Sequence, residues 1–298
     1  MEFILESLYF TEYFKNKELM NIYQEKISPL GCRAFFNPSM YIEKDLSLFT
    51  VRGVRRNPTA KQRGNFNILS WLIKNDEVIC LDEFWPQVKR VYDAKIFHFF
   101  DGIYITFNTA NEKDNSVYVA KIHPKLESPI ELKFTGRNSI ERNWAFYEFE
   151  GDRYCLYSIN PLVILRDRGG WNFEEYFRGE KDTGLKNDLH IGTQFIPFDN
   201  KYMFISHEQV QHEKKIFYMG KFMIFDHEKR KIFMGNKNWC HNIISSTDFY
   251  MGRKLWGVTY FSGIQKCENK INVSYGINDR DWAVSSIPID KIGIDKGE

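Results

Sequence analysis

Hydrophobic and polar residues alternate over short segments along most of this chain of 298 residues. From residue 32 onward, apolar strands are separated by turns about every 10 residues, a spacing typical of β-sandwiches, β-barrels and β-propellers. Phe and Tyr are abundant, with 26 and 16 copies, and both residue types favour strands. The pattern therefore predicts an all-β chain. One large domain can hold it, because all-β barrels and propellers of this size commonly form a single unit.

The N-terminal part follows a different pattern. Apolar residues such as Leu19 and Tyr23 recur at intervals closer to the period of a helix than to that of a strand. Pro29 and Gly31 end this segment. We expect residues 1–30 to form a short helical segment that packs on the main domain. A contact in a homo-oligomer through this helix is the alternative.

Five segments share one plan, in which polar residues are followed by a strand, a turn and a second strand. They begin at residues 37, 93, 143, 192 and 262, so the intervals are 56, 50, 49 and 70 residues. Their turns are predicted at Glu43-Lys44-Asp45, Asp101-Gly102, Glu150-Gly151-Asp152, Asp199-Asn200 and Glu268-Asn269. A weak repeat with a period of about 40 to 50 residues is a signature of β-propellers. We therefore predict one five-bladed β-propeller over residues 31–298.

The second segment begins with Asp93, just ahead of a predicted hairpin. Taken alone, a turn residue that starts a strand is the simpler interpretation, because turns recruit Asp for its side-chain hydrogen bonds. In a propeller, however, the inner strands line the central axis. The residues that begin each segment would then converge on one funnel, so Asp93 and its counterparts are candidate site residues.

Residues 166–190 deviate most from the repeat and are rich in Arg, Gly, Asp and Lys. We expect a long loop over one end of the domain. Long structured loops are often lids or specificity elements, and an ordinary surface excursion is the alternative.

Charge and composition narrow the set of partners. The 41 Lys and Arg against 39 Asp and Glu give a net charge of +2, and no block of like charge indicates a nucleic-acid partner. No apolar stretch reaches the ~18 residues of a membrane span. The first residues are acidic, whereas a secretory signal begins with positive charge. The five cysteines are an odd number and contain no Cys-x-x-Cys pair. Together these features predict a reduced, cytoplasmic protein.

Common motifs for nucleotide binding and serine hydrolysis are missing from the sequence. The segment from His207 to His212 superficially resembles a zinc-protease motif, but its histidines lie five residues apart instead of four, and the segment looks like the end of a strand. We therefore predict no metal site and no cofactor.

Short motifs in four of the five segments resemble those of a known family. The segment Tyr92-Asp93-Ala94-Lys95, followed by Asp101-Gly102-Ile103-Tyr104, resembles the Glu-Asp-Pro-Arg and Asp-Gly-x-Tyr pattern of glycoside hydrolase family 130. The other similar motifs are Asn37-Pro38-Ser39 with Leu48 to Arg52, Glu141-Arg142-Asn143-Trp144, and Gly276-Ile277-Asn278-Asp279. This family comprises the five-bladed propeller β-mannoside phosphorylases, to which certain glycosyltransferases are related. The motifs occur in the family's order over roughly residues 32 to 285.

The resemblance implies a role for each matching residue. Asp93 would be the general acid or base of a reaction that inverts the anomeric centre. The anionic group would be bound by convergent cations and hydrogen-bond donors. Candidates for it and for the sugar hydroxyls are Asn37, Arg52, Arg55, Lys95, Arg142, Asn143, His207 and Asp279, and candidates for stacking on a sugar are Tyr92 and Trp144.

The departures from the family motif bear on the substrate. Lys95 replaces an Arg, Ala94 a Pro and Tyr92 an acidic residue, which weakens the expectation of a mannoside. The cations Arg55, Arg56, Lys61 and Arg63 suggest a more strongly anionic ligand such as a phosphorylated sugar donor, or else a solvated loop.

Three hypotheses about function follow. The first is glycosyl transfer between a phosphorylated sugar donor and a glycan hydroxyl, by a glycosyltransferase or a reversible glycoside phosphorylase. The second is a glycoside hydrolase, which needs two carboxylates, with Asp279 or Glu208 as the partner of Asp93. The third is a propeller that binds a glycan or a protein without catalysis.

Overall fold

The computed structural model describes residues 8–56, 66–109, 115–140, 143–182, 189–212, 215–242, 248–250 and 253–294. Strands account for 61% of the described residues and helices for 10%. The prediction of an all-β protein with a short N-terminal helix is confirmed.

The N-terminal segment lies across the sheets of its own chain. It comprises strand β1 (Leu8–Phe10), a 3-10 turn (Thr11–Phe14), helix α1 (Lys17–Ile27) and a second 3-10 turn (Ser28–Leu30). Asn16 caps α1, because its side-chain oxygen accepts a hydrogen bond from the amide of Leu19 at 3.1 Å. Tyr23 is fully buried and stacks on Phe49 with 4.0 Å between ring centroids. The same chain covers this face of α1, so the packing does not support the alternative of oligomerisation through the helix.

The described strands form four sheets. The first sheet contains β2 (Ala34–Glu43), β3 (Leu46–Arg56), β4 (Phe66–Lys74) and β5 (Glu77–Cys80), and the short helix α2 (Leu81–Phe84) follows it. The second sheet contains β6 (Tyr92–Phe99), β7 (Gly102–Asn108), β8 (Val117–His123) and β9 (Ile130–Glu131). The third sheet contains β10 (Lys133–Phe134), β11 (Ala145–Phe149), β12 (Asp152–Ser158), β13 (Val163–Asp167) and β14 (Asn172–Arg178).

The fourth sheet has eleven strands, namely β1 and ten strands from the C-terminal part of the chain. These ten are β15 (Leu189–Ile191), β16 (Ile196–Phe198), β17 (Lys201–His212), β18 (Lys215–Asp226), β19 (Lys231–Met234), β20 (Asn238–Cys240), β21 (Asp248–Tyr250), β22 (Arg253–Cys267), β23 (Lys270–Ile277) and β24 (Asp281–Pro288). A 3-10 turn (Ile289–Lys291) follows β24. Because β18 and β22 pair in parallel, the fourth sheet is continuous, and the count of five separate blades stays a prediction.

The sheets pack against one another in a circle. Buried residues of the first and second sheets share one apolar cluster, and those of the second and third share another. A third cluster joins the third sheet to β17 and β18. The circle closes where Phe49 of the first sheet meets Trp282 of β24 beside α1. The core is therefore divided among the interfaces between sheets.

The predicted turns lie close to their expected positions. Four of the five coincide with the connections β2–β3, β11–β12, β16–β17 and β22–β23. The fifth is shifted by one residue, because Phe99 pairs with Gly102 and the two-residue loop is Phe100-Asp101. A side chain at position 102 would collide with Lys121 and with the carbonyl oxygen of His123, which explains the glycine.

The expectation of a long loop over residues 166–190 is wrong for much of that range. Its first two residues end β13, and residues 172–178 form β14, which pairs with β13. Charged residues on the exposed side of β14 make the alternation of apolar and polar residues hard to recognise in the sequence.

The first strands of the sheets contact one another through buried polar side chains near their breaks in register. Thr50 donates to the carbonyl oxygen of Ala94 at 2.7 Å, and Ser262 donates to that of Pro38 at 2.6 Å. Gln194 donates to the carbonyl oxygen of Trp144 at 2.6 Å. The first two bonds satisfy carbonyl groups at register shifts in β6 and β2, and all three bonds hold the sheets together.

Candidate active site

Four of the candidate site residues share an unusual backbone conformation. Asn37, Asp93, Asn143 and Asp279 have φ angles of 52°, 52°, 60° and 52°. Asn and Asp tolerate this left-handed region better than other residues with a side chain. In β2 and β6 the residue lies at a shift in register. The sequence places Asn or Asp here because the chain leaves regular strand geometry at the centre of the molecule.

Asp93 is held by two side chains from the first sheet. Its Oδ1 accepts hydrogen bonds from Nη1 of Arg52 at 2.8 Å and from Nδ2 of Asn37 at 3.0 Å. The Asp93 side chain is 19% exposed. No residue in the described part of the chain donates to Oδ2. One carboxylate oxygen is therefore fixed and the other is left for a ligand.

The surroundings of Asp93 favour its ionised form. Burial by itself would raise the pKa of Asp93, but the charge of Arg52, the hydrogen bond from Asn37 and the charge of Lys95 together hold the pKa below its ordinary value. At neutral pH the group is a carboxylate that can accept a proton.

Arg52 is enclosed by aromatic rings. Its guanidinium carbon lies 3.9 Å from the ring centroid of Tyr92 and 4.7 Å from that of Phe36, and the residue is 8% exposed. Burial opposes the charge of Arg52, yet Asp93, Tyr92 and Asp279 outweigh it and raise the pKa. Arg52 therefore stays charged, and it covers one face of the Tyr92 ring that was predicted to stack on a sugar.

Lys95 is a buried cation on the other side of Asp93. Its Nζ donates to Oδ1 of Asn143 at 2.6 Å and to the carbonyl oxygen of Gly192 at 2.5 Å. Tyr260 donates to the same Asn143 oxygen at 3.1 Å. Burial lowers the pKa of Lys95 to about 8, against the opposing effect of Asp93. An ammonium group has three N–H donors, so one remains for a ligand.

His207 lies near Lys95 but does not act as a cation. Its ring centroid is 5.4 Å from that of Tyr260 and 5.6 Å from that of His190. Burial, Lys95 and His190 lower the pKa of His207 to about 3. The imidazole of His207 is therefore neutral near pH 7 and offers hydrogen bonds instead of a positive charge, and its part in binding an anion stays a prediction.

Asp279 and Asp93 have opposite tendencies to ionise. Burial raises the pKa of Asp279; Arg52 opposes this effect and the negative charge of Asp93 adds to it. Two carboxyl groups whose pKa values are pushed apart are a common arrangement for acid–base chemistry. Glu208, the other predicted partner of Asp93, follows His207 in β17, so its side chain points to the opposite face of the strand.

Two further predicted site residues, Trp144 and Arg55, are not part of this group. Trp144 is 1% exposed and packs edge-on against Phe173 in the core, a position that favours a structural role over the predicted stacking on a sugar. Arg55 is exposed, and its charge acts on Cys32. Arg142 lies outside the described residues, as do Lys61 and Arg63, and the side chain of Arg56 is not described.

Two contributors were not predicted. Tyr260 binds Asn143, and Gly192 contributes its carbonyl oxygen to Lys95. Tyr260 lies two residues before the predicted fifth segment, which is the one signal that could have identified it. Gly192 begins the fourth segment, but a backbone contribution leaves no mark in the residue type.

Several buried polar atoms around Asp93 have no partner within the described part of the chain. They are Oδ1 of Asn37, Nε of Arg52 and Nδ1 of His207. Buried polar groups in native proteins are normally hydrogen-bonded. Unpaired atoms gathered around one carboxylate indicate a place where a ligand with several polar groups binds.

The described residues show neither a candidate metal site nor a membrane-spanning helix. These residues contain no group of three His, Cys, Asp or Glu side chains placed to hold a metal ion. None of their helices combines the length and the apolar character that crossing a membrane requires.

Solved structures of other proteins share the fold of this chain. Neither a protein-family model nor a curated protein sequence matches the chain. Among solved structures, the β-1,2-mannobiose phosphorylase of Listeria innocua superposes with a TM-score of 0.63 at 11% identity, covering 88% of this chain and 91% of that one. The GDP-Man-dependent mannosyltransferase MPT-1 of Leishmania mexicana superposes with a TM-score of 0.60 at 13% identity, covering 89% of each chain.

A third structure comes from a study of the GH130 mannoside phosphorylases that describes glycoside hydrolases targeting β-1,2 mannosidic linkages in Candida mannan. It superposes with a TM-score of 0.63 at 10% identity, covering 89% of this chain and 87% of that one. At these identities the likeness concerns the fold. The chain therefore has the fold of the glycoside hydrolase family 130 mannoside phosphorylases and of structures related to them.

Proposed function

We propose that this protein transfers a glycosyl group from a phosphorylated sugar donor to a sugar hydroxyl, with inversion at the anomeric carbon and with Asp93 as the general base. The observation that carries the proposal is the state of Asp93. Arg52 and Asn37 fix its Oδ1 and, with Lys95, lower its pKa. The shared fold with carbohydrate-active enzymes supports the same class of substrate.

In the proposed reaction, Oδ2 of Asp93 accepts the proton of the acceptor hydroxyl. The acceptor oxygen attacks the anomeric carbon while the bond from that carbon to the phosphate oxygen breaks. Lys95 stabilises the negative charge that develops on the departing phosphate, since it is charged below pH about 8 and keeps a donor free. Asp279 and Asn37 bind sugar hydroxyls, and His207 contributes a neutral hydrogen bond.

The lowered pKa of Asp93 supplies, at neutral pH, the base that transfer to an acceptor needs. Phosphorolysis needs a protonated acid for the leaving sugar, and Arg52 disfavours protonation of Asp93. Transfer from a phosphorylated donor needs a base, which the ionised carboxylate supplies. We also propose that the fold is a five-bladed propeller, in which β15–β20 form one blade and β22–β24 form the core of another. A cytoplasmic location remains part of the proposal as well.

The substitution Asp93→Asn tests the proposal. It keeps the shape and the left-handed backbone of the position but removes the base. With a panel of sugar 1-phosphates and nucleotide sugars as donors and β-1,2-mannobiose as acceptor, turnover should fall by roughly 10²- to 10⁴-fold. Asp45→Asn, at an exposed turn, should keep wild-type turnover. An Asp93→Asn protein that turns over at the wild-type rate would contradict the role of Asp93.

A glycoside hydrolase is the second candidate, because Asp93 and Asp279 have opposite pKa shifts. In that reaction Asp279 would protonate the leaving oxygen and Asp93 would activate a water molecule. Incubation with mannosides in phosphate-free buffer distinguishes the two candidates. Free sugar released without a phosphorylated donor, and lost in Asp279→Asn, would favour hydrolysis.

A further inference from the structure

A surface cleft lies at the opposite end of the strands that carry the candidate active site. Its volume is about 430 Å³, and it is formed by three turns, β6–β7, β11–β12 and β13–β14. Asp93 is near the start of β6 and Phe100 follows the last residue of that strand. At about 3.3 Å per residue, the two are roughly 20 Å apart. The cleft is therefore separate from the candidate active site.

The charges at this cleft are balanced. Arg166 Nη2 lies 2.5 Å from Oδ2 of Asp152, and Arg168 pairs with Glu174. Oδ2 of Asp101 lies 3.0 Å from Nη2 of Arg153 and 3.4 Å from Nζ of Lys121. All three arginines that line the cleft are thus paired with carboxylates, and Asp167 adds a further negative charge to the lining. An anionic ligand would have to displace these carboxylates, so the cleft fits an uncharged ligand.

The ion pairs nevertheless present many hydrogen-bonding groups. A guanidinium has five N–H donors in one plane, and a carboxylate has about four acceptor positions. A single contact in each pair leaves most of them available. Arg166 and Arg168 have 32% and 55% of their side chains exposed. Exposed N–H donors and carboxylate acceptors side by side can bond to the adjacent hydroxyls of a sugar ring.

An aromatic ring and two glycines complete the cleft. Phe100 is 73% exposed at the tip of the β6–β7 turn, and its amide donates to Glu148 at 2.8 Å. Gly151 and Gly169 line the cleft, and no atom lies within 4 Å of where their side chains would begin. An exposed aromatic face beside open backbone suits the flat, apolar face of a sugar ring.

We propose that this cleft, formed by Phe100, Gly151, Asp152, Arg153 and residues 166–169, binds an uncharged oligosaccharide segment. Its volume lies within the range of small-molecule sites, about 300 to 1,000 Å³. The ring stacks on Phe100, and its hydroxyls bond to the Arg166–Asp152 and Arg168–Glu174 pairs. The site anchors a glycan chain at a distance from Asp93 and is independent of the proposed reaction.

Affinity electrophoresis tests the proposal. Native gels contain yeast mannan, dextran or xylan, and the retardation of the protein gives its affinity for each. The wild-type protein should be retarded by at least one of them, and Phe100→Ala should weaken that affinity by roughly 3- to 10-fold. Phe84→Ala is the matched control, since Phe84 is also exposed, at 52%, but lies on α2. Asp93→Asn should be retarded like the wild type.

A second measurement reads the cleft directly. Phe100→Trp places an indole at the tip of the turn, and its fluorescence should change when mannotetraose is added, whereas that of Phe84→Trp should not. The proposal is overturned if none of the three polysaccharides retards the protein, if Phe100→Ala is retarded like the wild type, or if Phe84→Ala loses as much affinity. Because these readouts need no turnover, their failure is distinct from failure of the proposed reaction.

Discussion

Arg52 and Asp93 are 41 residues apart in the sequence and lie in different sheets, yet Nη1 of Arg52 donates to Oδ1 of Asp93 at 2.8 Å. The bond joins β3 of the first sheet to β6 of the second. It sets both the position of the carboxylate and its ionisation. Any change that loosens the packing between these two sheets should therefore also alter the chemistry of Asp93.

Replacing Arg52 should shift the pH dependence of the reaction. In the wild type the pKa of Asp93 is lowered, so kcat/KM should not fall with acidity until below about pH 4, the ordinary range of Asp. In Arg52→Met the effect of burial is no longer opposed by that charge, so the acid limb should move to higher pH. Profiles of kcat/KM between pH 4 and 8 check this. Arg55→Met, three residues further along β3, should leave the limb in place.

The same pair should affect stability in acid. A carboxyl group with a lowered folded-state pKa stabilises the fold above its unfolded pKa of about 3.9, and this stabilisation is lost as the pH falls through the folded-state pKa. Urea unfolding at pH 7 and at pH 3 should therefore show a larger loss in the wild type than in Arg52→Met. Equal losses in the two proteins would show that the pair contributes no such linkage.

Lys95 should make donor binding depend on pH in the alkaline range. The pKa of Lys95 is about 8, so its positive charge is present below that pH and is lost above it. Affinity for a phosphorylated donor should therefore fall as the pH rises from 7 to 9.5, measured by calorimetry. Lys95→Arg keeps its charge throughout this range, so its affinity should lose this dependence. A flat wild-type profile would show that Lys95 does not contact the phosphate.

Trp144 should matter for stability and not for substrate stacking. The residue is 1% exposed within the apolar cluster between the second and third sheets. Trp144→Ala should lower the free energy of unfolding by about 3 to 5 kcal/mol, measured by chemical denaturation. Trp144→Phe should recover most of that loss and bind substrate with an unchanged KM. A large rise in KM for a well-folded Trp144→Phe would restore the stacking role.

Gly276 should be required for the position of Asn37. A Cβ atom at this glycine would lie 2.0 Å from Oδ1 and 2.8 Å from the backbone nitrogen of Asn37. Gly276→Ala should displace Asn37, weaken its bond to Asp93 and reduce kcat/KM by roughly 10²-fold. Gly179→Ala is the control, since its Cβ would meet only ordinary contacts of 3.5 Å or more. Similar values of kcat/KM for the two variants would show that the position of Asn37 does not matter for catalysis.

Local signals predicted the strands, the turns and α1 well. Turn residues such as Asp, Asn and Gly mark the strand connections directly, and the polar residues that begin each segment do meet at the centre. Asn37, Asp93 and Asn143 can be grouped from the sequence alone, because each begins one repeat. The family resemblance added Arg52 and Lys95 to this group, whereas Tyr260 joins it through packing between distant parts of the chain, which no local pattern encodes.

The places where the structure differs from the expected arrangement of the site have two physical causes. Trp144 directly follows Asn143, and Arg55 lies three positions after Arg52 in β3, so in each pair the two side chains leave the backbone in different directions. Position along the sequence did not reveal which direction faces the site. The charge of His207 depends on burial and on Lys95 and His190, and both are properties of the folded chain.

The left-handed backbone at Asp93 restricts which amino acids this position can hold. Other residues with a side chain pay about 1 to 2 kcal/mol to adopt a positive φ, whereas Asn and Gly adopt it readily. Saturation mutagenesis at position 93 should therefore give the most stable variants with Asn or Gly, both without a proton-accepting group. Glu150 and Glu268 of the same chain also adopt a positive φ, so Asp93→Glu should fold at a cost of about 1 to 2 kcal/mol. The backbone thus sets a stability order at position 93 in which the residues that fold best are those that remove the carboxylate.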